Sequence, residues 1–206
     1  METKMNAYVP FKDIKEKYPT LTLHKLSKNI NVNDIGNLGT TIFFEDGFKD
    51  DYKQKILPSE LMHCTTALVV NEIFYNFLIK IGANIGAERA CYIDAHGEYH
   101  EDFWVVKPNI KDSIISLKNS IYTERKPTES FLKIINYKFK KIALDPSKDL
   151  KSPIYWDPYI KTLIITEEVL NFIKNNKLKG LSFIEVEKYD LIKTIYESKD
   201  HIIIAD

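Results

Sequence analysis

Hydrophobic positions near the C-terminal end of the chain change period twice, from strand spacing to helix spacing and back. The aliphatic run at 163–165 predicts a strand, after which Val169 and Phe172 fall on one face of a helix. Thr166 is predicted to cap that helix with its hydroxyl, and Gly180 to end it in the left-handed conformation. The apolar residues after the glycine predict a second strand.

The same pattern occurs earlier in the chain, where an amphipathic helix follows an apolar run at 67–70 and precedes a strand at 88–94. The two copies share Glu72 with Glu167, Asn76 with Asn171, Phe77 with Phe172 and, after one inserted residue, Gly86 with Gly180. Two interpretations stay open, an internal duplication or a chance agreement between two amphipathic helices. Both phenylalanines are predicted to lie in the core.

The remaining patterns predict strands at 40–44, 101–106 and 135–144, and a short surface helix at 11–18. Strand 101–106 is expected to form a hairpin with the preceding strand. Together these elements predict an α+β fold of mainly antiparallel sheets with two helix–glycine–strand units. No low-complexity linker divides the chain, so a single compact domain is predicted over residues 1–206. If it were divided, its lobes would be 1–107 and 108–206.

Composition narrows the classes of function. The 29 basic side chains balance the 29 acidic ones, and a net charge of zero argues against a general nucleic-acid binder. No apolar run reaches the roughly 18 residues of a membrane span, and the start of the chain lacks the apolar core of a signal peptide. We therefore predict a cytoplasmic protein without a membrane partner, in which Cys64 and Cys91 are reduced thiols.

The densest group of potential ligands is the predicted hairpin tip at 94–102, which holds two histidines, His96 and His100, and four carboxylates. Histidine with carboxylate can bind zinc or another transition metal. Its spacing matches no known metal motif, and a solvated hairpin is the alternative. The first-turn glutamates Glu72 and Glu167 are explained by the positive end of the helix dipole.

No other segment carries a recognisable catalytic motif. Ser59, His63 and Cys64 are close in sequence, but no nucleophile elbow accompanies them. The chain has no phosphate-binding glycine loop and no dinucleotide fingerprint. The sequence therefore predicts no catalytic residue, no cofactor and no metal ligand.

Two groups of residues carry a resemblance to a known family. The first consists of Val106, Pro108, Asp112 and Ser120, and the second of Ile165, Thr166, Glu167, Gly180 and Phe183. Over roughly residues 58–187 the chain resembles bacterial immunity proteins of polymorphic toxin systems, in particular the Imm11-like group (DUF1629) and its neighbour Imm43. The resemblance implies a non-enzymatic protein that neutralises a cognate toxin by direct contact. The alternative is an uncharacterised enzyme or metal-binding protein with its site near the hairpin at 96–102.

Two acidic segments are the predicted toxin-binding surface. They contain Asp46, Asp50 and Asp51 in the first segment, and Glu98, Glu101 and Asp102 in the second. Residues 111–151, by contrast, carry ten Lys or Arg against five Asp or Glu. Such charge separation can steer a basic partner by complementary fields, whereas two merely solvated loops are the other interpretation. The sequence predicts no oligomeric state.

Overall fold

Two β-sheets and a separate ribbon make up the fold. The computed structural model describes residues 6–12, 18–47, 56–64, 66–125, 136–148, 150, 152–189 and 203–204. The strands are β1 Ala7–Lys12, β2 Leu21–Leu23, β3 Ile42–Asp46, β4 Leu61–Cys64, β5 Ala67–Asn71, β6 Ile85–Ile93, β7 Tyr99–Pro108, β8 Ile121–Arg125, β9 Asn136–Lys141, β10 Ile154–Asp157, β11 Thr162–Thr166, β12 Leu181–Glu185 and β13 Ile203–Ile204. The helices are α1 Glu72–Lys80 and α2 Glu167–Asn175.

The strand order is β2-β3-β6-β7-β5-β4 in the larger sheet and β10-β11-β1-β12-β13 in the smaller one, while β8 and β9 form the ribbon. Among the named strands that the structure describes, β3 and β6 pair in parallel and all other ladders are antiparallel. The predicted α+β, mainly antiparallel fold is confirmed.

The two helices belong to units of the same topology. In the first unit, β5 and β6 flank β7, so that Trp104 pairs with both Val70 and Arg89. In the second, β11 and β12 flank β1, and Tyr8 pairs with both Ile165 and Glu185. Each unit also carries an outer antiparallel strand, β4 or β10. In the first unit the central strand, β7, comes after the other strands in the chain. In the second unit the central strand, β1, comes before them. The two units are therefore circular permutations of one arrangement.

Both helices end with the same hydrogen bonds. The N–H groups of Ile81 and Asn176 donate to the carbonyls of Phe77 and Phe172, which the sequence alignment pairs. The next residues have positive φ, 70° at Gly82 and 53° at Lys177. The prediction that Gly180 ends the second helix is therefore wrong, because a lysine already takes the left-handed position.

Gly180 has a different structural reason. Its φ is 110°, and a Cβ at this position would collide with the carbonyl oxygen of Leu61 and with Ser59. The N–H of Leu61 donates to the carbonyl of Lys179 at 3.0 Å, which draws the two backbones together. Glycine is needed here because the second unit crosses the start of β4 without room for a side chain.

The helix starts differ as well. The side chain of Asn71 caps α1 by accepting from the N–H of Phe74 at 3.0 Å. Thr166 occupies the same position in α2, but its hydroxyl is buried and makes no hydrogen bond within the described part of the chain. The predicted threonine cap is therefore wrong in its chemistry, although the helix begins where it was predicted.

One core cluster draws on both units, with Val70, Phe74 and Leu78 on one side and Leu163, Val169 and Ile173 on the other. Phe77 and Phe172 stack across it, with ring centroids 3.7 Å apart and planes 7° from parallel. The two phenylalanines that the sequence alignment pairs are therefore in contact where the two units meet. Both rings are only partly buried, which corrects the prediction that they lie in the core.

Candidate functional site

The parallel pairing of β3 and β6 brings the two predicted acidic segments to one end of the larger sheet. Glu45 pairs with Ile93, so Asp46 and Asp94 follow side by side where the two strands end. Burial raises the pKa of Tyr92, and the carboxylates of Asp46 and Asp94 both raise it further. The Tyr92 phenol therefore interacts electrostatically with both carboxylates, although the two segments are far apart in sequence.

Asp46 is an internal anchor at this end of the sheet. It is 5% exposed, and its Oδ1 accepts from the N–H of Thr20 at 3.0 Å. Burial lowers the pKa of Lys12, whose ammonium donates to the hydroxyl of Thr20, while the Asp46 carboxylate opposes that shift. Asp46 thus stabilises the backbone just before β2. It is buried, whereas the sequence predicted an exposed charge.

Asp94 organises the hairpin between β6 and β7. Its Oδ1 accepts from the N–H groups of His96 and Glu98, at 2.9 and 3.0 Å. Gly97 completes the turn with a φ of 80°. The Asp94 side chain is fully buried, and its Oδ2 lies 3.2 Å from Nε2 of His100. The predicted hairpin tip is therefore held by one carboxylate.

Asp94, Glu98 and His100 form a group of potential metal ligands. One ligand atom from each lies within 4.8 Å of the others, and no other such group occurs among the residues that the structure describes. Two carboxylates with one imidazole suit zinc and other borderline divalent metals. Sequence analysis identified the segment, but not the trio, because the position of Asp94 depends on the turn it caps.

The exposed acids of the second segment lie at an irregularity of the sheet. Ala90 pairs with Phe103 and Tyr92 with His100, so Glu101 and Asp102 together oppose the single residue Cys91. Glu98, Glu101 and Asp102 are exposed. A β-bulge re-aims side chains and often marks a functional edge. Asp50 and Asp51, predicted for the same surface, lie outside the described residues.

An aromatic stack lies between helix α1 and the strands β6 and β7. The sequence did not predict it. Tyr75 of α1 stacks on Trp104 of β7 with ring centroids 4.0 Å apart, and the guanidinium carbon of Arg89 lies 4.1 Å from the Trp104 ring. On the same helix as Tyr75, Ile73 and Ile79 are 57% and 51% exposed. Trp, Tyr and Arg are the residues most enriched at binding hot spots. The sequence could not identify this group, because it depends on the pairing of Trp104 with Arg89 across the two strands.

The segment containing Ser59, His63 and Cys64 does not form a nucleophilic site. The Ser59 hydroxyl donates to the Leu61 carbonyl at 2.8 Å. Burial lowers the pKa of His63 to about 4 and raises that of the Cys64 thiol to about 11. An activated cysteine needs the opposite shift, because the thiolate is the nucleophile. Cys64 and Cys91 are both buried free cysteines.

No protein-family model matches the chain, and no curated protein matches it. The resemblance to bacterial immunity proteins therefore stays a prediction, as does the single compact domain over residues 1–206. Neither of the described helices is long and apolar enough to cross a membrane.

Proposed function

We propose that this chain is an immunity-type protein that neutralises a toxin by binding it through the acidic end of the larger sheet. The proposal is carried by one observation: three exposed carboxylates, Glu98, Glu101 and Asp102, are grouped on a hairpin that a buried aspartate fixes. A rigid group of like charges attracts a basic partner surface and loses little conformational freedom on binding.

The aromatic stack gives this surface an anchor as well as a charged rim. Trp104 lies two residues beyond Asp102 on β7, Tyr75 stacks on its ring, and the Arg89 guanidinium lies against the same indole. Aromatic and arginine anchors supply most of the affinity of protein interfaces, whereas rim charges chiefly set the association rate. Substitutions of the acidic residues should therefore change mainly the association rate, and substitutions in the aromatic stack should change mainly the affinity.

The cognate toxin is sought as the product of the gene directly upstream, and co-expression of this chain should protect cells from it. The double variant Glu101→Lys and Asp102→Lys should slow association at low salt by roughly tenfold and weaken its salt dependence. Glu124→Lys combined with Glu168→Lys is the matched control, because it changes the net charge equally at exposed positions elsewhere.

Lack of protection would contradict the proposed function. Protection with identical association rates for both double variants would instead place the interface on another surface. Truncation of Trp104 to alanine tests the anchor separately, because it should raise the dissociation rate more than it lowers the association rate.

A second candidate function, metal binding, is favoured by the proximity of Asp94, Glu98 and His100. Purified protein dialysed against Zn²⁺ should then retain about one equivalent by elemental analysis, and His100→Ala should lose it. The Glu101 and Asp102 variant keeps all three ligands and should retain the metal. Zinc retention unchanged by His100→Ala would exclude this group as the site.

A further inference from the structure

A cavity of about 190 Å³ lies where the two sheets meet, away from the acidic hairpin. It is lined by Asn33, Thr66, Lys107, Pro108, Lys111 and Trp156. A water molecule occupies about 30 Å³, and sites for drug-sized ligands begin at roughly 300 Å³. This seam cavity is therefore sized for a small ion or for one polar group of a larger molecule.

The backbone fixes the tryptophan wall of the seam cavity. The N–H of Trp156 donates to the carbonyl of Ile110 at 3.0 Å, and Lys111 forms a parallel bridge with Trp156. The chain leaving β7 thus runs beside β10 and carries Lys111 to the indole. Because the walls come from both sheets, no local sequence motif could have revealed the cavity.

Two ammonium groups give the seam cavity its charge. The Nζ of Lys107 donates to the Asn33 carbonyl at 2.7 Å, which positions the ammonium and leaves two further N–H donors. Burial lowers the pKa of Lys107, the charge of Lys111 lowers it further, and Asp34 opposes both. The two lysines therefore repel each other, and an anion between them would relieve that repulsion.

We propose that the seam cavity binds the phosphate group of a small molecule. The ammonium groups of Lys107 and Lys111 supply the charge, the Thr66 hydroxyl is a further donor, and the Trp156 ring forms a flat wall beside the group. Among the residues that the structure describes, no arginine, the usual partner of a planar carboxylate, lines the cavity, whereas lysine binds phosphate as a point charge. This inference does not depend on toxin binding.

The test uses the full chain labelled with 5-fluorotryptophan, which gives one ¹⁹F resonance for each of its two tryptophans. The resonances are assigned with Trp104→Phe. Titration with inorganic phosphate, pyrophosphate and AMP at constant ionic strength should shift the Trp156 resonance saturably and leave that of Trp104 in place. Acetate is the carboxylate arm, and a stronger response to AMP than to phosphate would identify a nucleotide as the source of the group.

Lys111→Ala should weaken phosphate binding at least tenfold, and Lys111→Arg should retain most of it. Lys111 is exposed, so the alanine variant should fold, and Lys118→Ala is the matched control at another exposed lysine. A saturable shift whose affinity Lys118→Ala preserves and Lys111→Ala weakens at least tenfold supports the proposal. A Trp156 resonance that responds equally to phosphate and chloride, or a Lys111→Ala protein that titrates like the wild type, would overturn it.

Discussion

The stack of Phe77 on Phe172 makes a quantitative prediction about how the two units are joined. Complete burial makes Phe→Ala cost about 3–5 kcal/mol, but these rings are only partly buried, so we expect about 2 kcal/mol for each single variant. Phe74, which is 0% exposed in the same cluster, provides the fully buried reference and should cost about 3–5 kcal/mol.

The stack itself is measured by combining the two changes. A stacked aromatic pair contributes about 0.5–1.5 kcal/mol beyond the area that it buries. Each single variant already loses this contribution, so it is counted twice when their costs are added. The double variant should therefore be destabilised by about 3 kcal/mol instead of about 4.

Urea denaturation followed by circular dichroism gives these free energies, provided that the slope of the transition is unchanged between variants. Phe77→Ala with Ile142→Val is the control pair, because Ile142 belongs to a different core cluster and the two costs should add to within about 0.5 kcal/mol. If the Phe77 and Phe172 costs are equally additive, the stack does not couple the two units and the reasoning is refuted.

Backbone crowding at a glycine, capping of a helix start and burial of a histidine should each change stability measurably. Gly180→Ala should cost at least about 2 kcal/mol more than Gly97→Ala, because both have positive φ but only Gly180 would place its Cβ against backbone; equal melting curves would contradict this. Asn71→Ala should lose about 1 kcal/mol of cap stability in urea, whereas Thr166→Val should be neutral or stabilising because its hydroxyl has no partner to lose among the described residues. His63 has a folded pKa of about 4 against 6.5 unfolded, so the unfolded state binds more protons between these values. The contribution of His63 to stability should therefore fall by up to about 3 kcal/mol as the pH drops from 6.5 to 4, and His63→Gln should remove that contribution.

Local signals explain the parts of the fold that the sequence predicts correctly. The helical spacing of Val169 and Ile173 needs only one turn of neighbours to be recognised, and α2 lies where it indicates. The hairpin of β6 and β7 joins adjacent segments, so its pairing was also accessible. Thr166 shows the limit of prediction from local signals. It is a suitable capping residue at the right position, but its buried hydroxyl makes no cap hydrogen bond.

Pairing between distant segments explains what the sequence could not reveal. Phe11 was predicted to begin a surface helix, yet it lies in β1, the central strand of the second unit. A run of five apolar or aromatic residues does not indicate which strands it will pair with. The parallel pairing that sets Asp46 beside Asp94 is equally non-local, and it turns one predicted surface charge into a buried anchor.

The relation between the two units separates features that folding explains from features that need another reason. Helix ends and flanking strands occur in both units, and each unit contributes one ring to the phenylalanine stack, so the requirements of the shared arrangement account for them. The acidic hairpin exists only where the central strand follows its own unit, because the central strand of the second unit, β1, comes from the N-terminus. The seam cavity likewise pairs Lys107 of one sheet with Trp156 of the other. Both candidate sites thus lie where the copies differ, and symmetry of the core places no constraint on the side chains there. Selection for a ligand or partner can act at such positions without disturbing the packing that the two units share.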